Sequence, residues 1–205
     1  MSEPLQLRHP EMQPDRRPLD KYRTPTWVTA ALIESYPEIR GELLIDPCAG
    51  DCRMRDALSA AGRFPAWLTN DIDVAEDRVM GHADAASPDF WALASGAAAG
   101  KVAWVVTNPT FLLASTIAYQ AIQGIGNVAL LLRATWLEPT EDRQWLGRFP
   151  PKAELALPRV SFIGGGPTDS AGCRWLIWGD VPPGLKRAYP VDTHEIMIIL
   201  GVKGD

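Results

Sequence analysis

The residues best suited to chemistry in this sequence stand in VVTNPTF (105–111), where an apolar run ends in an amide, a proline and an aromatic residue. Asn108 offers an amide oxygen, and Pro109 offers a carbonyl on a residue whose own nitrogen carries no proton. Two such acceptors suit an NH₂ group, and Phe111 can stack on a flat ring. The stretch predicts a site for a flat molecule with an amino group, although a proline turn that caps the next helix would also explain it.

A second stretch with chemical potential is LLIDPCAGDC (43–52), in which Asp46 and Gly50 follow an apolar run. The glycine would let a ligand approach the backbone closely, and the start of the next helix would supply unpaired N–H groups. The usual dinucleotide fingerprint needs three spaced glycines, so a nicotinamide or flavin site is poorly supported. A plain turn after a strand is the alternative interpretation.

Two more stretches offer carboxylates. WLTNDID (67–73) ends the next apolar run in Asp71 and Asp73, either of which can accept two hydrogen bonds from a ribose diol. In GHADA, Asp84 can hold an adenine amino group while the Ala85 N–H meets a ring nitrogen. Solvated loop aspartates and helix caps are the alternatives in both places.

Alternating strand and helix signals must position these residues. Apolar runs predict strands at 43–45, 66–69, 102–106, 128–132, 155–163 and 174–178, and a last β-branched run at 196–200. A first helix is predicted to end at about Tyr36, with Thr24 or Thr26 as its N-terminal cap. Further helices are predicted at 52–61, 88–98 and 112–123. The pattern predicts an α/β fold with a mainly parallel central sheet, an antiparallel edge and helices on both faces. Ligands bind such sheets beyond the carboxyl ends of the strands, where all four stretches fall.

Length and composition indicate one globular domain. The chain has 205 residues, of which 46% are hydrophobic and 22% are charged. We expect a flexible N-terminal arm at 1–20 and a single domain at 21–205. The three cysteines form no C-x-x-C pair, which argues against a disulfide framework and against a metal site. No apolar run is long enough for a membrane span and the N-terminus is unlike a secretory signal, so we expect a cytoplasmic protein.

The net charge of −5 argues against a protein that wraps a long stretch of duplex. A local basic rim remains compatible with that charge, and its candidates are Arg16, Arg17, Arg133, Arg143, Lys152, Arg159 and Arg174. The N-terminal cluster of Arg8, Arg16, Arg17, Lys21 and Arg23 is either such a patch or a solvated tail. Four tryptophans in the later half could stack on bases: Trp136, Trp145, Trp175 and Trp178. For Trp175 and Trp178, packing in the core is the favoured role.

Taken together, the stretches resemble the class I S-adenosylmethionine-dependent methyltransferases, which have a Rossmann-like fold. Among these, the chain looks similar to the amino-directed DNA methyltransferases, especially the small phage-type N6-adenine enzymes. The resemblance covers roughly residues 20–200. It comprises YRTPTW (22–27), DPCAGD, NPTF in place of N-P-P-F/Y, and a segment at 159–178 that is similar to a target-side hairpin.

The resemblance implies a role for each matching residue. Thr24 and Pro25 would line the methionine end of the cofactor, and Asp46 would bind its amino group. Asp71 would hold the ribose, Ile72 would pack on the adenine, and Asp84 would contact the adenine amine. The implied cofactor-binding set is Tyr22, Thr24, Pro25, Asp46, Pro47, Cys48, Ala49, Gly50, Asp71, Ile72, Asp73, Asp84, Ala85 and Asn108. The implied catalytic set is Asn108, Pro109, Thr110 and Phe111.

The resemblance implies S-adenosylmethionine as cofactor and DNA, single- or double-stranded, as substrate, in a bacterium or a phage-infected host. Two positions depart from the pattern: Cys52 replaces a glycine and Thr110 replaces a proline. No inserted target-recognition domain is evident. The alternatives are therefore an amino-methyltransferase for RNA, protein or a small molecule, or a cofactor-binding module without turnover.

Overall fold

The fold is built around one mixed sheet. The structure, a computed structural model, describes residues 23–162, 172–189 and 199–200. Its strands are β1 Leu43–Asp46, β2 Ala66–Thr69, β3 Ala103–Thr107, β4 Val128–Arg133, β5 Ala153–Ala156, β6 Cys173–Trp178 and β7 Gly184–Arg187. In this part of the chain, they are hydrogen-bonded in the order β2-β1-β3-β4-β6-β5-β7.

The sheet is mainly parallel with an antiparallel edge, as predicted. Strands β2, β1, β3 and β4 are parallel neighbours. Strand β6 runs antiparallel to both β4 and β5, and β7 extends the sheet parallel to β5. The chain passes from β1 to β2 on one side and returns to β3 on the other. The topological switch point, where such sheets bind ligands, therefore lies between β1 and β3.

Helices cover both faces of the sheet. They are α1 Thr26–Ser35, α2 Arg53–Ala60, α3 Pro88–Ala98 and α4 Ala114–Gly124, and two short 3-10 segments follow at Ala134–Leu137 and Glu141–Gly147. Helices α1 and α2 pack on one apolar layer, and α3 and α4 pack on the other. Successive β3 side chains alternate between the layers, with Trp104 in the first and Val105 in the second. Burial on both faces explains why the central strands read as continuous apolar runs.

The antiparallel edge differs from the sequence prediction. The strand expected at 155–163 forms as β5 at Ala153–Ala156, and residues 157–162 have no strand pairing. Pro158 has no N–H to donate to a ladder, so the strand ends before it. Strand β7 was not expected, because GLKR is exposed throughout and carries no apolar alternation. Residue 163 and most of the predicted run at 196–200 lie outside the described residues.

Two helix starts also differ. The prediction that Thr24 or Thr26 caps α1 is wrong: Pro25 holds the cap position without a side-chain bond, and Thr26 is already helical. Helix α4 begins at Ala114 rather than at 112, because a turn closed by the Leu113 N–H and the Thr110 carbonyl precedes it. The predicted arm at 1–20 lies outside the described residues. None of the helices in the described ranges has the length and apolar character that a membrane crossing requires.

Candidate functional site

A cleft opens at the carboxyl ends of β1, β2 and β3, with an empty volume of about 1080 Å³ that includes its open mouth. It gathers most of the residues that the sequence assigned to cofactor and target. They are Thr24, Asp46, Pro47, Cys48, Ala49, Gly50, Asp71, Ile72, Asp84, Ala85, Asn108, Pro109, Thr110 and Phe111. Pro25 and Asp73 are not among the residues that line the cleft. Tyr22 lies outside the described residues.

The turn after β1 is tied directly to the end of β2. Gly50 has a φ of +49°, a left-handed conformation that glycine adopts without steric cost. Its N–H donates to the Asp71 Oδ2 atom at 2.8 Å. The Ala49 N–H donates to the Asn70 carbonyl at 2.8 Å. These bonds hold the backbone of the glycine turn open toward the cleft.

The structure separates the two aspartates that the sequence left as alternatives. Asp71 lines the cleft, and its second oxygen, Oδ1, accepts from the Asp73 N–H at 3.0 Å. Asp73 instead closes a turn, because its Oδ1 accepts from the Ala75 N–H at 2.9 Å. A carboxylate has about four acceptor positions, so Asp71 retains capacity for the hydroxyls of a ligand.

Asp46, the last residue of β1, is a buried carboxyl that borders the cleft, with 1% of its surface exposed. Burial raises its pKa to about 7, and the negative charge of Asp71 acts in the same direction. The Cys48 N–H, which donates to the Asp46 Oδ1 atom at 3.3 Å, and the charge of Arg55 oppose the rise. A carboxylate that is costly to ionise favours a cationic partner beside it.

Asn70 is a structural residue of the site that sequence reasoning did not single out. Its side chain is buried, and its Nδ2 donates to the carbonyls of Pro47 at 3.1 Å and Ala83 at 2.9 Å. Its Oδ1 accepts from the Ala83 N–H at 2.8 Å. One amide thus joins the turn after β1 to the loop after β2. A polar residue at a strand end between two motifs was the available signal, since a buried amide must be bonded.

The loop at 81–85 forms the far wall of the cleft. Asp84 is exposed and Ala85 is buried, and both line the cleft. The Asp84 Oδ1 accepts from the Ala86 N–H at 2.8 Å, which fixes the carboxylate at the start of a turn. The ring of His82 lies with its Nδ1 atom 3.0 Å from the Asp71 carbonyl oxygen. His82 therefore braces the loop against the Asp71 backbone.

The NPTF segment follows β3 and forms the opposite half of the cleft. The Nδ2 atom of Asn108 donates to the Thr24 hydroxyl oxygen at 3.1 Å. This bond sets the orientation of the amide and assigns its nitrogen to Thr24. Thr24 itself is buried at the entry to α1. The two residues, which are far apart in the sequence, are thereby coupled in one part of the site.

Thr110, one of the two departures noted in the sequence, lines the cleft in the turn after β3, and Cys48 lines it in the turn after β1. Burial raises the pKa of the Cys48 thiol far above its usual value, so Cys48 stays protonated. Thr110 therefore shares the cleft with an uncharged thiol.

Phe111 is half-buried and packs against the apolar layer under α3 and α4. The guanidinium of Arg133, the last residue of β4, lies over its ring with the central carbon 4.3 Å from the ring centroid. This distance is well within the range of a cation–π contact. From the sequence, Arg133 was expected only as one of several basic side chains in a rim around the site.

Cys52, the second departure, has a left-handed backbone conformation, which glycine would adopt without steric cost. It has a φ of 63° at the N-cap of α2 and is fully buried. Its sulfur lies 3.5 Å from the Arg78 carbonyl oxygen. A non-glycine residue in this region carries a steric cost.

Three of the other basic candidates have neighbours in the fold itself, and a fourth, Arg159, is exposed. Arg174 pairs with Glu154 at 2.8 Å, and Lys152 lies 3.8 Å from Asp180. Arg143 donates to the Thr140 hydroxyl at 2.6 Å and to the Trp136 carbonyl. At the cleft, Arg23 and Arg53 both contact Asp51, at 3.5 and 2.8 Å. Arg16 and Arg17 lie outside the described residues.

The four later tryptophans are core residues. Trp136, Trp145, Trp175 and Trp178 are all buried, with 7% exposure at most. The indole N–H of Trp145 donates to Ser115, that of Trp175 to the Val28 carbonyl, and that of Trp178 to the Phe149 carbonyl. Buried indoles with satisfied N–H groups stabilise the core and are not surfaces on which a base can stack.

Known structures with a similar fold were found, although no match was found at the level of sequence. No protein-family model and no curated protein matches the sequence. The M protein of the type I restriction enzyme EcoKI matches with a TM-score of 0.52 and 15% identity, over 77% of this chain and 44% of that one. A type I restriction-modification methyltransferase subunit from Streptococcus thermophilus matches with a TM-score of 0.54 and 11% identity, over 88% and 52%.

These likenesses establish the architecture. The chain has the Rossmann-like fold of class I methyltransferases, with the mostly parallel sheet and antiparallel edge described above. It spans about half the length of the two solved methyltransferase subunits.

Proposed function

We propose that this chain is an S-adenosylmethionine-dependent methyltransferase whose substrate is an exocyclic amine, with N6 of adenine in DNA as the first choice. The observation that carries the proposal is the cleft itself, which joins the turn at Gly50 to the amide of Asn108. A methyl donor and an amine acceptor would have to meet between these two residues. The two solved methyltransferase subunits with this fold support the choice of reaction and of DNA.

The residues of the cleft fit the cofactor chemically. S-adenosylmethionine carries a positive sulfonium and a positive ammonium, and carboxylates from Asp46, Asp71, Glu76 and Asp84 line the cleft. The space where a side chain on Gly50 would stand is open, with no other atom within 4 Å. A ligand can therefore lie close to the Gly50 backbone, next to the bond between its N–H and Asp71.

Each part of the cofactor has a matching residue. The Asp46 carboxyl, held at the floor of the cleft, suits the ammonium group. Asp71 would accept from the ribose hydroxyls, and the exposed apolar side chain of Ile72 would cover the adenine ring. Asp84 would accept from the adenine amine.

When bound, S-adenosylmethionine would supply a methyl group on a positively charged sulfur: the amine nitrogen would take the methyl, and the electron pair of the C–S bond would stay on sulfur. The Asn108 amide oxygen and the Pro109 carbonyl would accept hydrogen bonds from the two amine protons and orient the nitrogen lone pair. The proton lost from the methylated amine would pass to solvent, so these residues need not include a strong base. Alignment and preorganised acceptors are the contribution of these residues.

The experiment that tests the proposal measures label transfer from S-adenosylmethionine methyl-labelled with tritium. Purified protein is incubated separately with duplex DNA, single-stranded DNA, RNA and a protein lysate, beside the Asn108→Ala variant. The proposal expects N6-methyladenine in DNA with the original protein and at least 100-fold less with the variant. Label confined to RNA or protein would reject DNA as substrate. Cofactor binding without product on any substrate would reject turnover.

A further inference from the structure

The contact between Arg133 and Phe111 has a consequence for substrate entry. Phe111 packs against the apolar layer below it, and the Arg133 guanidinium covers its ring at 4.3 Å. A guanidinium is planar and stacks on aromatic faces much as a base does. The face of Phe111 that points away from the apolar layer is thus already occupied.

We propose that Arg133 is a gate on the target side of the cleft: its guanidinium covers Phe111 in the free protein and gives way when a nucleobase stacks there. The inference rests on the proposed function, because that function assigns Phe111 to the target base. It goes beyond that function by making entry of the base a competition with a residue of this chain.

The position of Arg133 in the fold supports a gate. Strand β4 lies beside β3, so its last residue stands next to the NPTF segment that follows β3. The long side chain of Arg133 starts from a rigid strand and ends over a residue that lines the cleft. Movement of the guanidinium off Phe111 would need a change of side-chain rotamer and no change in the sheet.

If Arg133 is a gate, its removal should change binding of the base in the opposite direction to the removal of an ordinary binding residue. A residue that supports the base would weaken binding when it is removed. A residue that must be displaced would strengthen binding of a neutral base when it is removed. Adenosine is the appropriate probe, because it carries the amine and the ring but no phosphate that the Arg133 charge would attract.

The experiment uses full-length protein with ¹⁵N-labelled arginine, saturated with S-adenosylhomocysteine so that adenosine cannot occupy the cofactor half. The Arg133 side-chain signal, assigned by its loss in Arg133→Met, is shifted by the ring current of Phe111, and Phe111→Leu removes that shift. Adenosine is expected to move the Arg133 signal toward that of an unstacked arginine. The Arg143 signal is the internal control, because Arg143 stacks on Trp136 at 5.3 Å outside the cleft and should not move.

Arg133→Met keeps the aliphatic stem and removes the guanidinium. The gate expects this variant to bind adenosine about three- to tenfold more tightly than the original protein, a range typical of losing one cation–π contact between half-buried residues. Adenosine binding with an unmoved Arg133 signal, or weaker binding by Arg133→Met, would overturn the gate and leave the proposed function standing. If neither protein binds adenosine while both bind the cofactor, the target half of the proposed function fails and the gate fails with it.

Discussion

The side-chain amide of Asn108 donates to the hydroxyl of Thr24 at 3.1 Å, and this bond joins the segment before α1 to the segment after β3. It gives Thr24 a second role beside lining the cleft. The amide nitrogen is engaged by Thr24, so the orientation of the amide oxygen is fixed relative to the cleft. Thr24 is therefore a positioning residue for the acceptor that the proposed reaction uses.

Thr24→Val tests this role, because valine keeps the shape of threonine and removes the hydroxyl. We expect kcat to fall about 10-fold, since losing one buried hydrogen bond costs about 1–1.5 kcal/mol. The Kd of S-adenosylmethionine, measured by calorimetry, should change less than about threefold. Thr24→Ser keeps the hydroxyl and is the matched control, with kcat close to the original. A loss of cofactor affinity in step with kcat would assign Thr24 to cofactor binding alone.

Asn70 is predicted to be the residue on which the shape of the cleft depends most. Asn70→Ala removes bonds to two carbonyls and one N–H, of which the Pro47 carbonyl is buried. We expect the free energy of unfolding in urea to fall by about 2–4 kcal/mol and cofactor affinity to fall at least 10-fold. The turn after β1 and the loop after β2 would lose their shared support.

Asn127→Ala is the matched control for Asn70. Asn127 also uses its amide in backbone bonds, to the Ala103 carbonyl and the Asp180 N–H, but it precedes β4 and so lies at the amino ends of the parallel strands, away from the cleft. This variant should lose stability and keep its cofactor affinity. Equal losses of affinity in both variants would mean that global destabilisation, and not the Asn70 bonds, controls the cleft.

Cys52 offers a test of backbone strain. At a φ of 63° the side chain of any L-residue carries a steric cost that glycine avoids. We compare Cys52→Gly with Cys52→Ala, since both remove the sulfur. The glycine variant should be more stable in urea by about 1 kcal/mol, the reverse of the usual order of these residues at a helix. A more stable alanine variant would show that the left-handed conformation at Cys52 is not strained.

The sequence predicted the central part of this fold because the physics there is local. Strands β1, β3 and β4 are buried on both faces, and each ends in a polar stretch that marks its carboxyl end. The positions of Gly50 and Asn108 at one cleft follow from that pattern and from the switch-point rule.

The features that the sequence did not predict depend on partners distant in the chain. The hydroxyl of Thr24 looked like a helix cap because its true partner, Asn108, is a tertiary contact. The Asn70 bonds and the position of Arg133 over Phe111 are likewise set by the packing of neighbouring strands. The exposed strand β7 has no apolar pattern and forms by pairing with β5.

The buried carboxyl of Asp46 should make the stability of the fold depend on pH. Its folded pKa of about 7 lies above the ordinary value of 3.8, so the folded state holds a proton that the unfolded state releases between these pH values. Stability therefore falls as pH rises from about 4 to 7, and the full penalty, on the order of a few kcal/mol, remains above pH 7. Asp46→Asn removes the penalty. Its gain in stability over the original protein should be largest above pH 7 and vanish near pH 4.

The cofactor should show the opposite trend, because an ammonium group binds the ionised carboxylate. In the original protein the affinity for S-adenosylmethionine, measured by calorimetry, should rise as pH increases toward 7 and level off above it. Asp46→Asn should bind at least 10-fold more weakly at pH 8 and lose the rise, whereas Asp89→Asn, at the exposed start of α3, should keep both. If Asp46→Asn is more stable than the original protein and binds S-adenosylmethionine more weakly, then the Asp46 carboxyl serves cofactor binding and destabilises the fold. An Asp46→Asn variant that is less stable at pH 8 than the original protein would mean that the bond from the Cys48 N–H to the Asp46 carboxylate outweighs the burial of the charge.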